Sequence, residues 1–410
     1  MIAQPSLLEE VESLYACRRE AIDNPYPIYH RMRAESPVLL HSGVAAITRY
    51  TDVEAIMRNM VDYSNVRGKG SRIDAAAARL AADQATKMRE VLNFMDMWVV
   101  QLDPPDHTRI RGLAHRALTP RRVAELGDTV VAITDELLGE LAERKQVDFI
   151  EDFAYQLPLY VIGAMLGMPT SDRDRIRYWS DTITTFIGTE FSNIDEAQAA
   201  VADFRAYLKD AIAERRKTRQ TDLLAALLEP DEAGDKMSLA ELEAMFMVLL
   251  FAGHETTTNL IGNSVYWLLK SPEHMGQLRD DPSLIPLAIE EFLRFESPAQ
   301  VVHRVARNTT TVSGTEIPAG TTIRLLMGAA NRDPEKFDEP DRLDFRRDPR
   351  HLGFGIGPHF CLGQALTRLE APIALERLLH RFPTVELAGE PRWRRNITLR
   401  GFEHFPLSVS

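Results

Sequence analysis

Cys361 lies in a loop whose composition prepares its sulfur for chemistry. The loop begins at Phe354, is rich in glycine, and is followed after Gly363 by a long helical pattern. This arrangement predicts that Cys361 stands at a helix N-terminus, where backbone N–H groups and the positive end of the helix dipole favour the thiolate over the thiol. An anionic sulfur of this kind can be a nucleophile, a zinc ligand or an axial ligand of iron.

The three chemistries make different demands on the surrounding sequence. Zinc would need a set of further Cys or His ligands at short spacing, and the sequence has no such set near Cys361. A nucleophile needs a base within reach, and His359, two positions away on the same loop, is a weak candidate for that role. Axial ligation of a haem needs a single thiolate and leaves the opposite face of the iron open.

A second candidate site lies in the middle of a long predicted helix. Ser238 and Glu241 form a capping box ahead of an apolar run, and the helical pattern lasts until Ser271 and Pro272. Such a helix would be about 48 Å long at 1.5 Å per residue. We expect it to be the central axis of the domain.

The middle of this helix is polar, directly after the most apolar run in the chain, Ala244 to Gly253. Gly253 leaves room beside the helix, and the Thr256 hydroxyl can bond the Ala252 carbonyl, which bends the helix. The adjacent acid and alcohol, Glu255 and Thr256, could pass protons from solvent to something bound there. The alternative is a polar helix face turned to solvent.

These two sites resemble those of a known enzyme family. The pattern F-x-x-G-x-H-x-C-x-G, filled by Phe354, Gly357, His359, Cys361 and Gly363, resembles the cysteine-loop signature of the cytochrome P450 family of haem-thiolate monooxygenases. The segment Ala252 to Thr256 is similar to the oxygen-activating A-G-x-[DE]-T segment of the same family. The resemblance covers nearly the whole chain, in the order that the family has.

The resemblance implies a cofactor and a role for each matching residue. Cys361 would be the axial ligand of haem b, supported by Phe354 and Gly363 of the loop. Glu255 and Thr256 would guide protons, and oxygen would be activated between the iron and the segment Ala252 to Thr256, which includes Gly253. The haem would lie between the long central helix and the helix that follows the cysteine loop.

Four further residues match positions that bind haem propionates in the family. His107 and Arg111 lie one turn apart at the start of a predicted helix, so both can reach the same anionic group. The resemblance assigns them to the propionates, together with Arg304 and with His359. Glu291, Arg294 and Arg342 resemble the family's Glu-Arg-Arg triad, to which we assign a role in folding and haem incorporation.

The remaining patterns predict a mainly α protein with a small β portion, and the resemblance implies the cytochrome P450 fold. Helical patterns dominate from Asp106 to about Phe295. Strands are predicted around a hairpin over residues 37–49, over residues 321–326 and within residues 394–409. Residues 64–101 and 330–359 are predicted as long loops, the first dense in apolar side chains that either line a greasy pocket or form a satellite core helix.

Composition limits the class of protein and its partners. The chain has 410 residues, 45% of them hydrophobic, which is ample for a packed core, and the formal net charge of −12 argues against a nucleic-acid-binding protein. Two cysteines fit a reducing compartment. Neither a signal peptide nor an apolar run long enough to anchor the chain in a membrane is present, so we expect a cytoplasmic protein.

We therefore predict a single domain over residues 1–410, without a fused reductase, that inserts one oxygen atom from O2 into an organic substrate. Electrons would come from an external ferredoxin and its reductase, docking near Arg116, Arg121, Arg122 and Arg368. The pocket walls, placed by the family resemblance and by helical spacing from Glu255, are mainly apolar, which favours a lipophilic substrate such as a natural-product or lipid-like molecule. They comprise residues 91–98, 184–187, 248, 249, 252, 299–302, 398 and 399. The alternatives are a peroxide-using peroxygenase and a haem-thiolate ligand-binding sensor without turnover.

Overall fold

The computed structural model describes residues 5–66, 77–188, 193–215, 217, 222–232 and 234–410. Helices dominate this part of the chain, as predicted. They are α1 (Leu7–Tyr15), α2 (Arg19–Asp23), α3 (Tyr26–Glu35), α4 (Tyr50–Arg58), α5 (Ala82–Met95), α6 (Asp106–Ala117), α7 (Pro120–Ala124), α8 (Gly127–Arg144), α9 (Gln156–Met165), α10 (Arg173–Gly188), α11 (Ile194–Arg215), α12 (Leu223–Leu228), α13 (Leu239–Lys270), α14 (Pro272–Asp280), α15 (Ile285–Phe295), α16 (Met327–Ala330) and α17 (Gln364–Arg381).

The strands are short and, apart from Gln146–Asp148, lie near the two ends of the chain, as predicted. They are β1 (Val38–His41), β2 (Val44–Ile47), β3 (Tyr63–Ser64), β4 (Gln146–Asp148), β5 (Val301–Ala306), β6 (Thr310–Val312), β7 (Thr315–Ile317), β8 (Thr322–Leu326), β9 (Val385–Leu387), β10 (Arg392–Trp393), β11 (Phe402–His404) and β12 (Pro406–Val409). The largest sheet has the order β1-β2-β8-β5-β3, with β2 and β8 parallel and the other neighbours antiparallel. A three-stranded sheet, β4-β12-β9, and the hairpin-like pairs β10-β11 and β6-β7 complete the β portion.

The described residues fall into two compact units. The first contains those of Met1–Ser64, Val130–Leu157 and Thr256–Ser410, and the second those of Asn65–Thr129 and Pro158–Glu255. All the named sheets belong to the first unit, and the second is helical. The helix α13 passes from the second unit into the first between Glu255 and Thr256.

The core of the first unit lies on the five-stranded sheet. Ile47, Val53, Ile323 and Leu325 are completely buried in one apolar cluster. Alternate residues of a strand point to the same face of the sheet, so side chains of the β1–β2 hairpin such as Ile47 contribute to this cluster. Leu352, from the segment that leads to the cysteine loop, is buried in the same cluster. The sheet core therefore fixes the path of the chain just before Cys361.

The apolar stretch near residue 90 is a helix rather than a long loop. Within residues 64–101, α5 occupies Ala82–Met95 and buries Met88, Val91, Leu92 and Phe94. The side chains recur at helical spacing, which is the physical reason for their apolar density. Residues 67–76 of the same stretch lie outside the described residues. The second predicted loop, residues 330–359, is largely irregular, as expected.

Candidate active site

The long central helix runs unbroken from Leu239 to Lys270, as the sequence predicts. Its N-terminus has the predicted capping box, because the Ser238 N–H donates to a Glu241 carboxylate oxygen at 2.8 Å and the Glu241 N–H donates to the Ser238 hydroxyl at 3.3 Å. The cap satisfies backbone donors that a helix end leaves without intrahelical partners. The apolar run is buried from Ala244 to Leu250, whereas Phe251 is half-buried and Ala252 is exposed.

Gly253 is needed for close packing beside the polar segment. A Cβ atom at this position would lie 3.1 Å from Ile162 Cδ1, on α9 of the same unit. That distance is tighter than ordinary van der Waals contact, so a Cβ atom at this position would require the Ile162 side chain to shift by a few tenths of an ångström. The sequence predicts that Gly253 leaves room beside the helix, and in this structure the Ile162 side chain occupies that room.

Glu255 is buried, and so the segment is not a polar face turned to solvent. Its side chain is 3% exposed, and that of His254 is 1% exposed. The Thr184 hydroxyl on α10 donates to Glu255 Oε1 at 3.3 Å, and His254 Nε2 lies 3.8 Å from the same oxygen. A buried carboxylate requires such polar partners, because desolvation penalises its charged form.

Thr257, the neighbour of Thr256, contacts the helix that follows the cysteine loop. In the first unit, the Thr257 hydroxyl lies 3.4 Å from the Thr367 hydroxyl of α17, and both side chains are buried. Thr256 itself is half-buried. The two helices that the family resemblance places on either side of the haem thus have a direct polar contact.

The cysteine loop has a defined hydrogen-bonded conformation. The Cys361 N–H donates to the Phe354 carbonyl at 2.8 Å, and the Phe360 N–H donates to the Gly357 carbonyl at 3.0 Å. Two residues after Cys361, Gly363 caps α17, so the predicted position at a helix N-terminus is confirmed. Cys361 is half-buried and is not joined to Cys17 in a disulfide.

Gly357 is required by both conformation and space. Its φ of +74° lies in the left-handed region, and a Cβ atom would stand 3.1 Å from Arg58 Cα and 3.2 Å from the Met57 carbonyl oxygen. The crowding atoms are backbone atoms at the end of α4, which cannot move as a side chain can. This close approach holds the loop against the sheet core.

An ion-pair cluster lies beside the cysteine loop. Arg368 donates to both carboxylate oxygens of Glu290, at 2.7 and 2.9 Å, and its guanidinium carbon lies 4.6 Å from the centre of the Phe354 ring. His351 Nε2 lies 3.0 Å from Glu290. Burial raises the pKa of Glu290, but hydrogen bonds from Arg368 and His351 outweigh burial and lower this pKa to about 2.

Sequence reasoning missed part of this cluster. Arg368 was predicted only as a basic surface residue, whereas its side chain is bound to Glu290 and interacts electrostatically with Cys361. Glu290 directly precedes the predicted triad residue Glu291, and the spacing of the sequence does not indicate which of the two acids binds Arg368. The contact arises from packing between α15 and α17, which periodicity alone does not specify.

The predicted Glu-Arg-Arg triad needs one correction. Glu291 and Arg294 form a completely buried pair, but Arg342 is an exposed residue that binds Glu339 at 2.8 Å. The second arginine at Glu291 is Arg347, whose Nε lies 3.4 Å from Oε1. Arg342 contributes only its backbone carbonyl, which accepts a hydrogen bond from Arg294 at 3.1 Å.

The four predicted propionate residues occur as two pairs, one in each unit. In the second unit, His107 and Arg111 lie one turn apart on α6, with His107 buried and Arg111 half-buried. In the first unit, Arg304 lies buried on β5 and donates to the His303 carbonyl at 2.8 Å, and His359 lies in the short turn before Cys361. Each unit thus offers one guanidinium and one imidazole.

These donors fit a haem. A single thiolate at a helix N-terminus could hold an iron ion. Within each unit, a guanidinium and an imidazole are suitable donors for a carboxylate, since charge-assisted hydrogen bonds to carboxylates are the strong ones. The close approach of Gly357 to α4 supplies a rigid loop that holds the sulfur.

The predicted substrate walls are mainly apolar in both units. In the second unit, the rings of Trp98 and Phe251 lie 5.5 Å apart, and Val248 and Leu249 are buried. Within residues 184–187 the side chains differ in solvent exposure: Phe186 is completely buried, whereas Ile187 is 38% exposed.

In the first unit, the wall residues before β5 meet those near the C-terminus. Ala299 and Leu399 form a β-bridge, and the Gln300 N–H donates to the Thr398 carbonyl at 2.8 Å. The structure thus brings Ala299 and Gln300 together with Leu399 and Thr398. Across the described residues, no helix combines the length and apolar character needed to cross a membrane.

Comparison with known proteins defines the family. Residues 89–399 match the family model "Cytochrome P450". The chain is 42% identical over 407 residues to cytochrome P450 107B1 of Saccharopolyspora erythraea, covering 97% of this chain and 98% of the relative. It is 41% identical over 400 residues to the vitamin D(3) 25-hydroxylase of Pseudonocardia autotrophica, covering 94% of each.

A solved structure extends the likeness to the fold. The cytochrome P450 PksS of the Bacillus subtilis 168 bacillaene polyketide synthase superposes with a TM-score of 0.85 at 33% identity, covering 96% of this chain and 99% of that chain. A cysteine loop, an acid-alcohol helix and this fold define a haem-thiolate protein. The chain belongs to the cytochrome P450 family. The predictions of a bacterial-type cytochrome P450, of haem b and of an oxidoreductase that incorporates oxygen are confirmed.

Proposed function

We propose that this protein hydroxylates a mainly apolar organic molecule, with Cys361 as the iron ligand and an external ferredoxin as electron donor. The observation that carries the proposal is the cysteine loop, in which hydrogen bonds and the close approach of Gly357 fix Cys361 two residues before the cap of α17. The family's names alone would not identify the ligand. The loop geometry supports Cys361 for that role.

The chain's own residues bind the cofactor and deliver protons. When bound, the haem supplies oxygen activation and oxidation of an unactivated C–H bond. Cys361 would hold the iron, and His107, Arg111, Arg304 and His359 would bind the two propionates. Glu255 accepts protons from solvent and passes them towards Thr256, which follows it on α13.

The substrate class follows from the wall residues and from the relatives. Trp98, Phe251 and Leu249 offer aromatic and aliphatic surface, which favours burial of apolar groups. The names of two relatives refer to vitamin D(3) and to a polyketide synthase. We therefore assign the substrate to the class of steroid-like, polyketide or other lipid-like natural products.

The electron donor docks beside the cysteine loop. Arg368 is partly exposed there, in the first unit, and carries a positive charge next to Cys361. Of the other basic residues predicted for docking, Arg116 pairs with Asp231 at 3.2 Å and Arg121 with Glu125 at 3.4 Å. Surface pairs of this kind are weak and leave an acidic partner able to compete.

The carbon-monoxide difference spectrum of the reduced protein tests the ligand assignment. Wild-type protein is expected to show a strongly red-shifted Soret band, which reports a thiolate opposite carbon monoxide, and Cys361→Ser is expected to lose it. Cys17→Ser, at the other cysteine, serves as the control and should keep the band. A wild-type protein without haem, or a Cys361→Ser protein with an unchanged band, would overturn the proposal.

Substrate binding and turnover test the remaining part. Steroids, polyketide lactones and fatty acids are titrated into the oxidised protein, and a spin-state shift identifies those that bind. Product formation with NAD(P)H, a ferredoxin and its reductase then establishes monooxygenation. Ligands that shift the spin state but are never oxidised with several competent ferredoxins would point to the ligand-binding sensor instead.

A further inference from the structure

His254 is a buried imidazole inside the oxygen-activating segment. The ring is 1% exposed, and Nδ1 lies 3.1 Å from the carbonyl oxygen of Leu250, one turn earlier on α13. A carbonyl oxygen only accepts hydrogen bonds, so Nδ1 carries the hydrogen in this contact. The other ring nitrogen, Nε2, is therefore the one whose interactions can vary.

Nε2 faces the residues that surround the proposed proton-delivering acid. The Ser180 hydroxyl lies 3.2 Å from Nε2, and Oε1 of Glu255 lies 3.8 Å from it. Thr184 donates to the same Glu255 oxygen at 3.3 Å. Ser180 and Thr184 stand one helical turn apart on α10, so one face of α10 presents two hydroxyl groups to His254 and Glu255.

This arrangement gives the Glu255 carboxylate two partners on one side. A carboxylate that is 3% exposed pays a large desolvation cost unless polar groups surround it. The Thr184 hydroxyl supplies a hydrogen bond, and the His254 ring lies against the same side of the carboxylate, with Nε2 3.8 Å from Oε1. Ser180 in turn fixes the ring, because its hydroxyl contacts both ring nitrogens.

We propose that His254 is a positioning residue that, with Ser180 and Thr184, holds the Glu255 carboxylate in one orientation for proton delivery to Thr256. This inference rests on the proposed roles of Glu255 and Thr256. His254 touches neither substrate nor cofactor in this role and acts only through Glu255. Its loss therefore leaves haem binding and substrate affinity intact and lowers the fraction of electrons that reach product.

A pair of substitutions separates the two ring nitrogens. The amide nitrogen of an asparagine at position 254 reaches the place of Nδ1, whereas that of a glutamine reaches the place of Nε2. We expect His254→Asn to lower product formed per NAD(P)H roughly tenfold, the effect of losing one hydrogen bond or close contact to a charged group. His254→Gln is expected to restore most of the coupling, and His380→Asn, at an exposed histidine, to change nothing.

A spectroscopic measurement tests the contact without turnover. Protein labelled with ¹⁵N-histidine is examined by NMR in the reduced, carbon-monoxide-bound form, and the His254 signals are assigned by their loss in His254→Asn. We expect the Nδ1–H tautomer, with an Nε2 shift that changes in Glu255→Gln and in Ser180→Ala. An Nε2 shift that responds to neither substitution would overturn the proposal.

The outcomes distinguish this inference from the function on which it rests. If Thr256→Ala leaves coupling unchanged, the proposed proton delivery fails. If Thr256→Ala uncouples the enzyme while His254→Asn, Ser180→Ala and Thr184→Val all keep wild-type coupling, the positioning role fails alone. If His254→Asn loses its carbon-monoxide band, its coupling no longer tests the positioning role. The coupling of Ser180→Ala and Thr184→Val, two variants on α10, then tests that role.

Discussion

The Glu291 carboxylate accepts two hydrogen bonds from the Arg294 guanidinium, at 2.7 and 2.8 Å, and both side chains are inaccessible to solvent. Arg294 also donates to the carbonyls of Asn331 and Pro340, at 3.0 and 2.7 Å. The Asp344 N–H donates to Glu291 at 3.1 Å. This one ion pair therefore fixes the irregular segment that leads to the cysteine loop.

Arg347→Ala is expected to weaken this clamp. Arg347 Nε lies 3.4 Å from Glu291 Oε1, and its Nη1 donates to the Asp338 carbonyl at 2.8 Å. Removing it leaves a buried carboxylate with one cation fewer, which should lower the free energy of unfolding by about 1–3 kcal/mol. Urea denaturation followed by circular dichroism measures the change, and haem content should fall in parallel.

Arg342→Ala is the matched control. Arg342 lies in the same segment, but its side chain is 66% exposed and binds only Glu339 among the described contacts. Surface substitutions of this kind change stability by no more than about 0.5 kcal/mol. A larger loss in Arg342→Ala than in Arg347→Ala would contradict the corrected triad.

Gly357→Ala is expected to displace the cysteine loop. The new Cβ would meet backbone atoms of Arg58 and Met57 at 3.1 and 3.2 Å, in a left-handed conformation that alanine rarely adopts. Because backbone atoms cannot swing aside, the loop must move away from α4. The carbon-monoxide band should shrink or shift to the shorter wavelength of a non-thiolate ligand.

Gly314→Ala isolates the conformational part of that cost. Gly314 has nearly the same φ, +80°, in the turn between β6 and β7, and a Cβ there would meet nothing within 4 Å. The left-handed conformation alone should cost about 1–2 kcal/mol of stability. If Gly314→Ala altered the carbon-monoxide band as strongly as Gly357→Ala, crowding at α4 would not be the cause.

Local patterns made the two chemical segments predictable. The capping box at Ser238 and the apolar spacing define α13 within one residue at each end, because helix capping and helical periodicity are properties of neighbouring residues. The glycines before Cys361 likewise predict a tight loop at the start of a helix. Fold class and family both followed from these segments.

Contacts between distant segments were not predictable in the same way. Arg342 and Arg347 lie in one irregular stretch, which has no helical or strand periodicity to predict which guanidinium contacts Glu291. The contacts of Ser180 and Thr184 with α13 depend on how α10 packs, and neither residue has a motif of its own. Tertiary packing determines these contacts, and a short sequence window does not predict it.

Glu370→Gln is expected to stabilise the protein at neutral and alkaline pH. Glu370 on α17 is completely buried, and its carboxylate oxygens have no hydrogen-bond partner within the described residues, so burial raises its pKa well above the usual value of 4.5. Above pH 4.5 the unfolded chain releases a proton that the folded chain retains. Stability of the wild type therefore falls as pH rises, by up to about 1.4 kcal/mol per pH unit until the folded carboxyl ionises.

Unfolding by urea at pH 5 and at pH 8 measures this slope. The wild type should lose more stability between the two values than Glu370→Gln, in which the titrating group is absent. Glu376→Gln, at an exposed acid on the same helix, should keep the wild-type slope. Parallel stability curves for wild type and Glu370→Gln would mean that Glu370 is already ionised in the folded protein.

Glu290→Gln is expected to speed the encounter with an acidic ferredoxin. Glu290 is ionised in the folded protein and neutralises Arg368 through two hydrogen bonds, so its replacement leaves the arginine charge uncompensated beside Cys361. The bimolecular rate constant of reduction should rise about two- to threefold at low ionic strength and converge with wild type near 1 M salt, where screening acts within about 3 Å. Arg368→Gln should slow the same step. Stopped-flow reduction at increasing ferredoxin concentration yields the rate constants, and a change of the same sign in both variants would contradict docking at Arg368.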